Sequence, residues 1–133
     1  MIRFTLRPMV LEKQRWAAPP TLNHRLHWRA RARATRAWRT AAWAEMRKHL
    51  IVPVARIRIT MVRYCVRDID DDNLHSCFKP IVDGIVDAGQ VPDDTRKYVE
   101  RVVSLERVAH FAEERLEIQV EALAEPPAPP SVR

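Results

Sequence analysis

DIDDDNLHSCFKPIVDGIVDAGQVPDD, residues 68–94, decides the fold, because it sets one helix between two acidic clusters and holds every aspartate of the chain. Those aspartates are Asp68, Asp70, Asp71, Asp72, Asp83, Asp87, Asp93 and Asp94. Leu74, Cys77, Phe78, Ile81, Val82, Ile85 and Val86 recur at steps of three and four, the spacing of one helical face. Asp72 or Asn73 is placed to cap the start of this helix, and Gly89 to take the left-handed position at its end. Pro80 removes an interior N–H, so the spacing predicts an irregular Leu74–Lys79 turn or a kink. The opposite face carries Lys79, Asp83 and Asp87, with Lys79 and Asp83 four apart.

Working outward, Ile57, Ile59 and Met61 alternate with Arg56, Arg58 and Thr60, a strand that delivers the chain to Arg67 and the acidic cluster. Before it, Trp38, Ala41, Ala42, Met46 and Leu50 predict an amphipathic helix over Thr35–Leu50 that Pro53 ends. Ile2, Phe4 and Leu6 predict a first strand ended by Pro8. Residues 15–33 have no clean period and contain Pro19-Pro20, and are read as a long loop. Beyond the helix, Val99, Val103 and Leu105, then Leu116, Ile118 and Val120, predict two strands joined as an antiparallel hairpin through Ala109–Glu113. The expected class is α+β: a mixed sheet of about four strands with two helices, in the order β-α-β-α-β-β. A chain of 133 residues fits one domain, read over 1–124, and the proline-rich segment 125–133 is expected to be a disordered tail.

The net charge of +6 conceals a division. Residues 1–67 hold 16 Lys and Arg against Glu12 and Glu45, and residues 68–133 hold 7 against 15 acids. A basic half beside an acidic cluster suits a polyanion held by arginine while carboxylates hold a metal against it, and nucleic acid is the polyanion expected, with a solvated basic surface as the rival reading. In the 15–33 segment Trp16, His24, His27 and Trp28 interleave with Arg25, Arg29, Arg31 and Arg33, a mixture suited to phosphates and unpaired bases. Cys65 and Cys77 show no C-x-x-C or zinc spacing and read as reduced core thiols of a cytoplasmic protein. No apolar run approaches the length of a membrane span or a signal peptide, so no membrane partner is expected.

Four carboxylates within residues 68–72 repel one another unless a cation neutralises them. Asp68, Asp70 and Asp72 match the opening of a calcium loop, but position 12, where the bidentate Glu belongs, is Lys79. Pro92-Asp93 opens a P-D…(D/E)-x-K nuclease pattern that no acid-x-Lys completes, and zinc hydrolysis lacks its His and Cys ligands. What remains is an all-oxygen site for Mg²⁺ or Mn²⁺ with a lysine beside it, the equipment of phosphodiester hydrolysis.

The run Asp70-x-Asp72-Asn73-Leu74, Lys79, Asp83, Gly89, Asp93-Asp94 resembles the signature of the RusA-type Holliday junction resolvases, a phage and prophage family. P-P-T-L-N-H-R (Pro19–Arg25) resembles that family's N-terminal P-P-x-x-N segment, and the likeness spans roughly residues 2–122. It implies Asp70, Asp72 and Asp94 as metal ligands with Asp93 adjacent and Lys79 as the catalytic lysine; together with the interleaved arginines of the basic half, the expected DNA contacts are Asn23, Arg25, Arg29, Arg31, Arg33 and Lys79. It further implies Mg²⁺ with Mn²⁺ as substitute, a homodimer, and branched four-way DNA as substrate in recombination and repair. Leu74–Phe78 makes the interval from the second aspartate to the lysine longer than in the enterobacterial prophage form. Two rival readings stay open: a structure-selective DNA-binding protein without cleavage, and a general single-strand or flap nuclease.

Overall fold

The computed structural model describes residues 1–21 and 27–124. Its elements in chain order are β1 (Ile2–Leu6), β2 (Met9–Leu11), β3 (Gln14–Trp16), α1 (Trp28–Met46), β4 (Arg56–Cys65), α2 (Asp71–Asp87), β5 (Val99–Arg107), a 3₁₀ turn (Phe111–Glu113) and β6 (Arg115–Leu123). Four strands form a mixed sheet in the order β1-β6-β4-β5, and β2 and β3 form a separate two-stranded hairpin. With its two helices the fold is α+β, as the periodicities predict. The reading of 125–133 as a disordered tail falls outside the described residues, as do Asn23 and Arg25.

Alternation in β4 explains the layering. Ile57, Ile59, Met61 and Cys65 are buried beneath the helices, while Arg58, Thr60, Val62 and Tyr64 stay half-buried on the other face. That open face is held by cross-strand pairs. Arg58 lies opposite Glu100 on β5 and Glu121 on β6, and its guanidinium reaches both, at 3.1 and 2.9 Å. Arg115 lies over the Tyr64 ring, 3.8 Å from its centroid. On the covered face, α2 sets Phe78, Ile81, Val82 and Ile85 into the core, each such side chain contributing roughly 1.5–3 kcal/mol.

β4, α2 and β5 form a crossover unit in which β5 runs parallel to β4. The predicted β5–β6 hairpin does not form: β6 pairs antiparallel with the other side of β4. Residues 108–114 are longer than an ordinary hairpin loop and span the two strand spacings, about 9–10 Å, across the end of β4. Val108 N donates to the Cys65 carbonyl at 3.0 Å on the way. Glu114, the buried charged residue among those described, accepts from Val66 N at 3.2 Å and from Arg15 Nη1 at 2.8 Å. It thereby ties the β2–β3 hairpin to the crossing.

Three further expectations need correction. Helix α1 begins at Trp28 rather than Thr35 and ends at Met46 rather than Leu50, so part of the predicted 15–33 loop is helical. Ala30, Ala32, Ala34 and the arginines between them are strong helix formers, and His27 Nδ1 accepts from Arg29 N at 3.3 Å as the cap. Met9–Leu11 and Gln14–Trp16 form a hairpin turned by Glu12 and Lys13, both at positive φ, with none of the Asn-Gly chemistry that marks such a turn. Asp70, not Asp72 or Asn73, caps α2, which then runs unbroken through Pro80. Gly89 takes the predicted left-handed position, at φ 98°.

Helices α1 and α2 meet at Gly84. A Cβ there would fall inside contact distance of the Arg39 carbonyl oxygen and 2.9 Å from Ala42 Cβ, so two backbones touch where only hydrogen fits. Gly84→Ala should therefore destabilise the fold by about 2–3 kcal/mol, seen as a melting point lowered by roughly 5–10 °C. An unchanged melting point would mean that the helices do not cross this closely.

Candidate metal and nucleic-acid site

The strand-to-helix turn after β4 brings the first acids together. Asp70 Oδ1 accepts from Asn73 N at 2.9 Å and Oδ2 from Asn73 Nδ2 at 3.0 Å, so both carboxylate oxygens of this residue are engaged by one neighbour. Asp71 and Asp72 occupy the first turn of α2, where the unsatisfied N–H groups and the helix dipole offset negative charge. Both are exposed and make no ion pair or hydrogen bond among the described residues. Asp68 accepts locally from Ile69 N at 3.1 Å.

A second cluster forms farther along α2. Lys79 Nζ stands 3.5 Å from Asp83 Oδ1 and 3.6 Å from Asp94 Oδ2. Arg101 on β5 reaches the same Asp94 Oδ2 at 3.4 Å and its carbonyl at 3.0 Å. On the other side Arg39 Nη1 lies 3.9 Å from Asp83 Oδ2, and Arg39 grips Asp87 with two bonds of 2.6 and 2.8 Å. The result is one line of alternating charge, Arg101, Asp94, Lys79, Asp83, Arg39 and Asp87, running from β5 across α2 to α1. Asp93 stands outside it: its Oδ1 accepts from Thr95 N at 2.9 Å, and that backbone bond holds its carboxyl below the usual range.

The structure thus joins Lys79 to Asp94, as the motif implies, but it sets Asp70 and Asp72 apart from them. Lys79 is nine residues beyond Asp70, about 13 Å along the helix axis. Among the described residues no group of three His, Cys, Asp or Glu lies close enough to hold a metal ion. A cavity of about 560 Å³ opens beside Asp94, lined also by Arg56, Arg96 and Arg101.

Arg29, Arg31 and Arg33 lie on the first turns of α1 rather than in a loop. Arg31 is tied to the Thr21 carbonyl at 2.9 Å and Arg33 to Glu12 at 2.9 Å, while Arg29 rests over the Trp28 ring, 5.2 Å from its centroid. Cys65 and Cys77 are buried and free, and burial pushes both thiols up, as expected of core residues. Sequence reasoning missed Arg39 and Arg101. Neither has a local signal: Arg101 is one polar residue of an alternating strand, and Arg39 one of many arginines on α1.

The Arg39 guanidinium holds the Asp87 carboxyl below its usual range. A carboxyl lowered in the folded state stabilises above its unfolded pKa, about 4, and that contribution is lost as pH falls through the folded value. Asp87→Asn should flatten the fall of urea stability below about pH 4, by well under 1 kcal/mol because the pair is exposed. An identical acid limb in the variant would show that the pair contributes nothing. No family model and no curated protein matches the chain.

Proposed function

We propose that the protein is a Mg²⁺-dependent endonuclease that resolves four-way DNA junctions as a homodimer. The observation that carries this reading is Lys79, an exposed ammonium of α2 held beside Asp94, on the helix that Asp70 caps and whose first turn bears Asp72. The donor set is all carboxylate oxygen, which fits a hard cation such as Mg²⁺ or Mn²⁺. Asp71 and Asp72 both lack a side-chain partner among the described residues, and Asp72 is the one of the two that the motif names as a ligand. A bound Mg²⁺ supplies Lewis-acid polarisation of the phosphate and an activated water. The chain's own groups do the rest: Lys79 neutralises charge growing on the phosphoryl oxygens, Arg101 and Asp83 fix where Asp94 and Lys79 stand, and the arginines of the basic half hold the backbone.

The separation along α2 bears on the dimer. Mg²⁺ binds its ligands at about 2.1 Å, whereas Lys79, the residue beside Asp94, stands about 13 Å along α2 from Asp70, and no three acids gather at one point among the described residues. A second copy related by a two-fold axis supplies what one chain lacks, with Asp70 and Asp72 of one protomer meeting the partner's Asp94. Two equivalent sites follow, matching the two-fold symmetry of a four-way junction. The double engagement of Asp70 by Asn73 favours the alternative of a DNA-binding protein without cleavage, and metal dependence separates the two.

On a synthetic mobile junction, paired symmetric nicks are expected with Mg²⁺ and none with EDTA. Asp72→Asn and Asp94→Asn should each abolish nicking and keep junction binding, because each removes negative charge from beside the phosphates. Mixing the two inactive variants tests the shared site. Exchange gives heterodimers with one intact site, so single nicks should return without paired cleavage. Continued inactivity of a mixture shown to exchange subunits would place each site within one chain. Preference for flaps or single strands over junctions would support a general nuclease instead.

Mg²⁺ or Mn²⁺ should also raise the melting point, with about 2.7 kcal/mol of stabilisation at a hundredfold excess over Kd. The gain should disappear in Asp70→Asn/Asp72→Asn. An undiminished gain there would put the ion elsewhere.

A further inference from the structure

Helix α1 presents a face whose tryptophans the junction reading leaves unassigned. Its buried side is Ala34, Trp38, Ala42 and Met46. Along the adjoining flank, at steps of three and four, stand Trp28, Ala32, Arg36, Arg39 and Trp43. Of the four tryptophans, Trp16 and Trp38 are buried, whereas Trp28 is 67 % and Trp43 42 % exposed. Two cavities of about 420 and 400 Å³ run along this flank and share Arg36 and Arg39, one bounded by Trp28 and the other by Trp43. Fifteen residues separate the indoles, about 22 Å of helix.

We infer that this trough is a track for single-stranded DNA, in which unpaired bases stack on Trp28 and Trp43 and the phosphates between them lie against Arg29 and Arg36. The inference rests on the reading of the protein as DNA-binding and assigns the place of an unpaired arm. Charge identifies the occupant. Helix α1 carries five arginines against Glu45, and Asp87, the acid lining the trough, is already gripped by Arg39. Arg36 makes no ion pair among the described residues. The same face of a second copy would set arginine against arginine, so self-docking is disfavoured. Duplex DNA keeps its base faces stacked, whereas a single strand offers both what an exposed indole binds and what an arginine binds.

Trp28 is already part of a stack. The His27 ring lies 5.8 Å from it at an interplanar angle of 28°, and the Arg29 guanidinium lies over it. A base takes the place of that guanidinium, which turns to the neighbouring phosphate. No bond is made or broken.

The tryptophans are their own probes. Titrating the full chain with an oligothymidylate of about eight nucleotides, in EDTA so that nothing is cut, should quench the exposed indoles saturably. Trp28→Leu and Trp43→Leu keep apolar bulk but lose the aromatic face, and each should weaken binding at least about fivefold. The double variant, folded as judged by circular dichroism, should retain an emission from Trp16 and Trp38 that DNA leaves unchanged. Arg36→Ala should reduce the slope of log K against log salt by about 0.7. Undiminished affinity in the double variant overturns the track. So does indole protection from iodide that grows with protein concentration and vanishes in the double variant, which would assign the face to a second copy. Junction nicking, measured in parallel with Mg²⁺, separates the two claims. Nicking without oligothymidylate quenching sinks the track and spares the nuclease, and quenching without nicking does the reverse.

Discussion

The contact on which the rest depends is the crossing of α1 over α2 at Gly84. The missing side chain lets the Arg39 carbonyl sit against the α2 backbone, and that approach carries the Arg39 guanidinium onto Asp83 and Asp87. Asp83 then faces Lys79, and Lys79 faces Asp94. A position chosen for helix packing thus sets the place of the ammonium at the centre of the candidate site. A larger residue would push the helices apart and draw Arg39 away from both carboxylates.

The line of alternating charge does not serve stability. Its members are largely at the surface, and exposed pairs of this kind are worth between nothing and about 1 kcal/mol each. Their value is positional. Each carboxylate between two cations, and each cation between two carboxylates, loses side-chain freedom to its neighbours on both sides, so the order of the line survives even where each bond is weak. Stability comes from the layer beneath, where Ile57, Ile59, Met61, Leu116 and Ile118 of the sheet meet Trp38, Phe78, Ile81 and Ile85 of the helices.

The sheet places the two acidic clusters. Because β5 must return parallel to β4, α2 has to span the length of the strands, and the residues before and after it arrive at opposite ends of the sheet. Asp70 follows the C-terminal end of β4, and Asp94 precedes the N-terminal end of β5. The same geometry that gives a well-packed crossover unit therefore divides the carboxylates, which is why the proposed function calls for two copies of the chain.

Periodicity alone determined the two helices, the four sheet strands and the α+β class, because burial of one face imposes a repeat of two or of three to four residues that local sequence must carry. Asp94 and Lys79 were legible as partners only through a motif, and the local sequence determined the end of α2 at Gly89. The pairing of β6 with β4 was not legible, since a run, a connector and a second run look alike whether the strands are neighbours or lie either side of a third. The early start of α1 was hidden because its first turns are exposed and show no apolar period. The β2–β3 turn was hidden because Glu12 and Lys13 occupy a conformation that side chains ordinarily avoid. Arg39 and Arg101 came from the tertiary structure alone, whereas Trp28 reads from the sequence as a base-stacking residue of a loop and only the early start of α1 sets it on one flank with Trp43. Charges far apart in sequence meet only when the helices cross and the strands take their order, and no local pattern records either event.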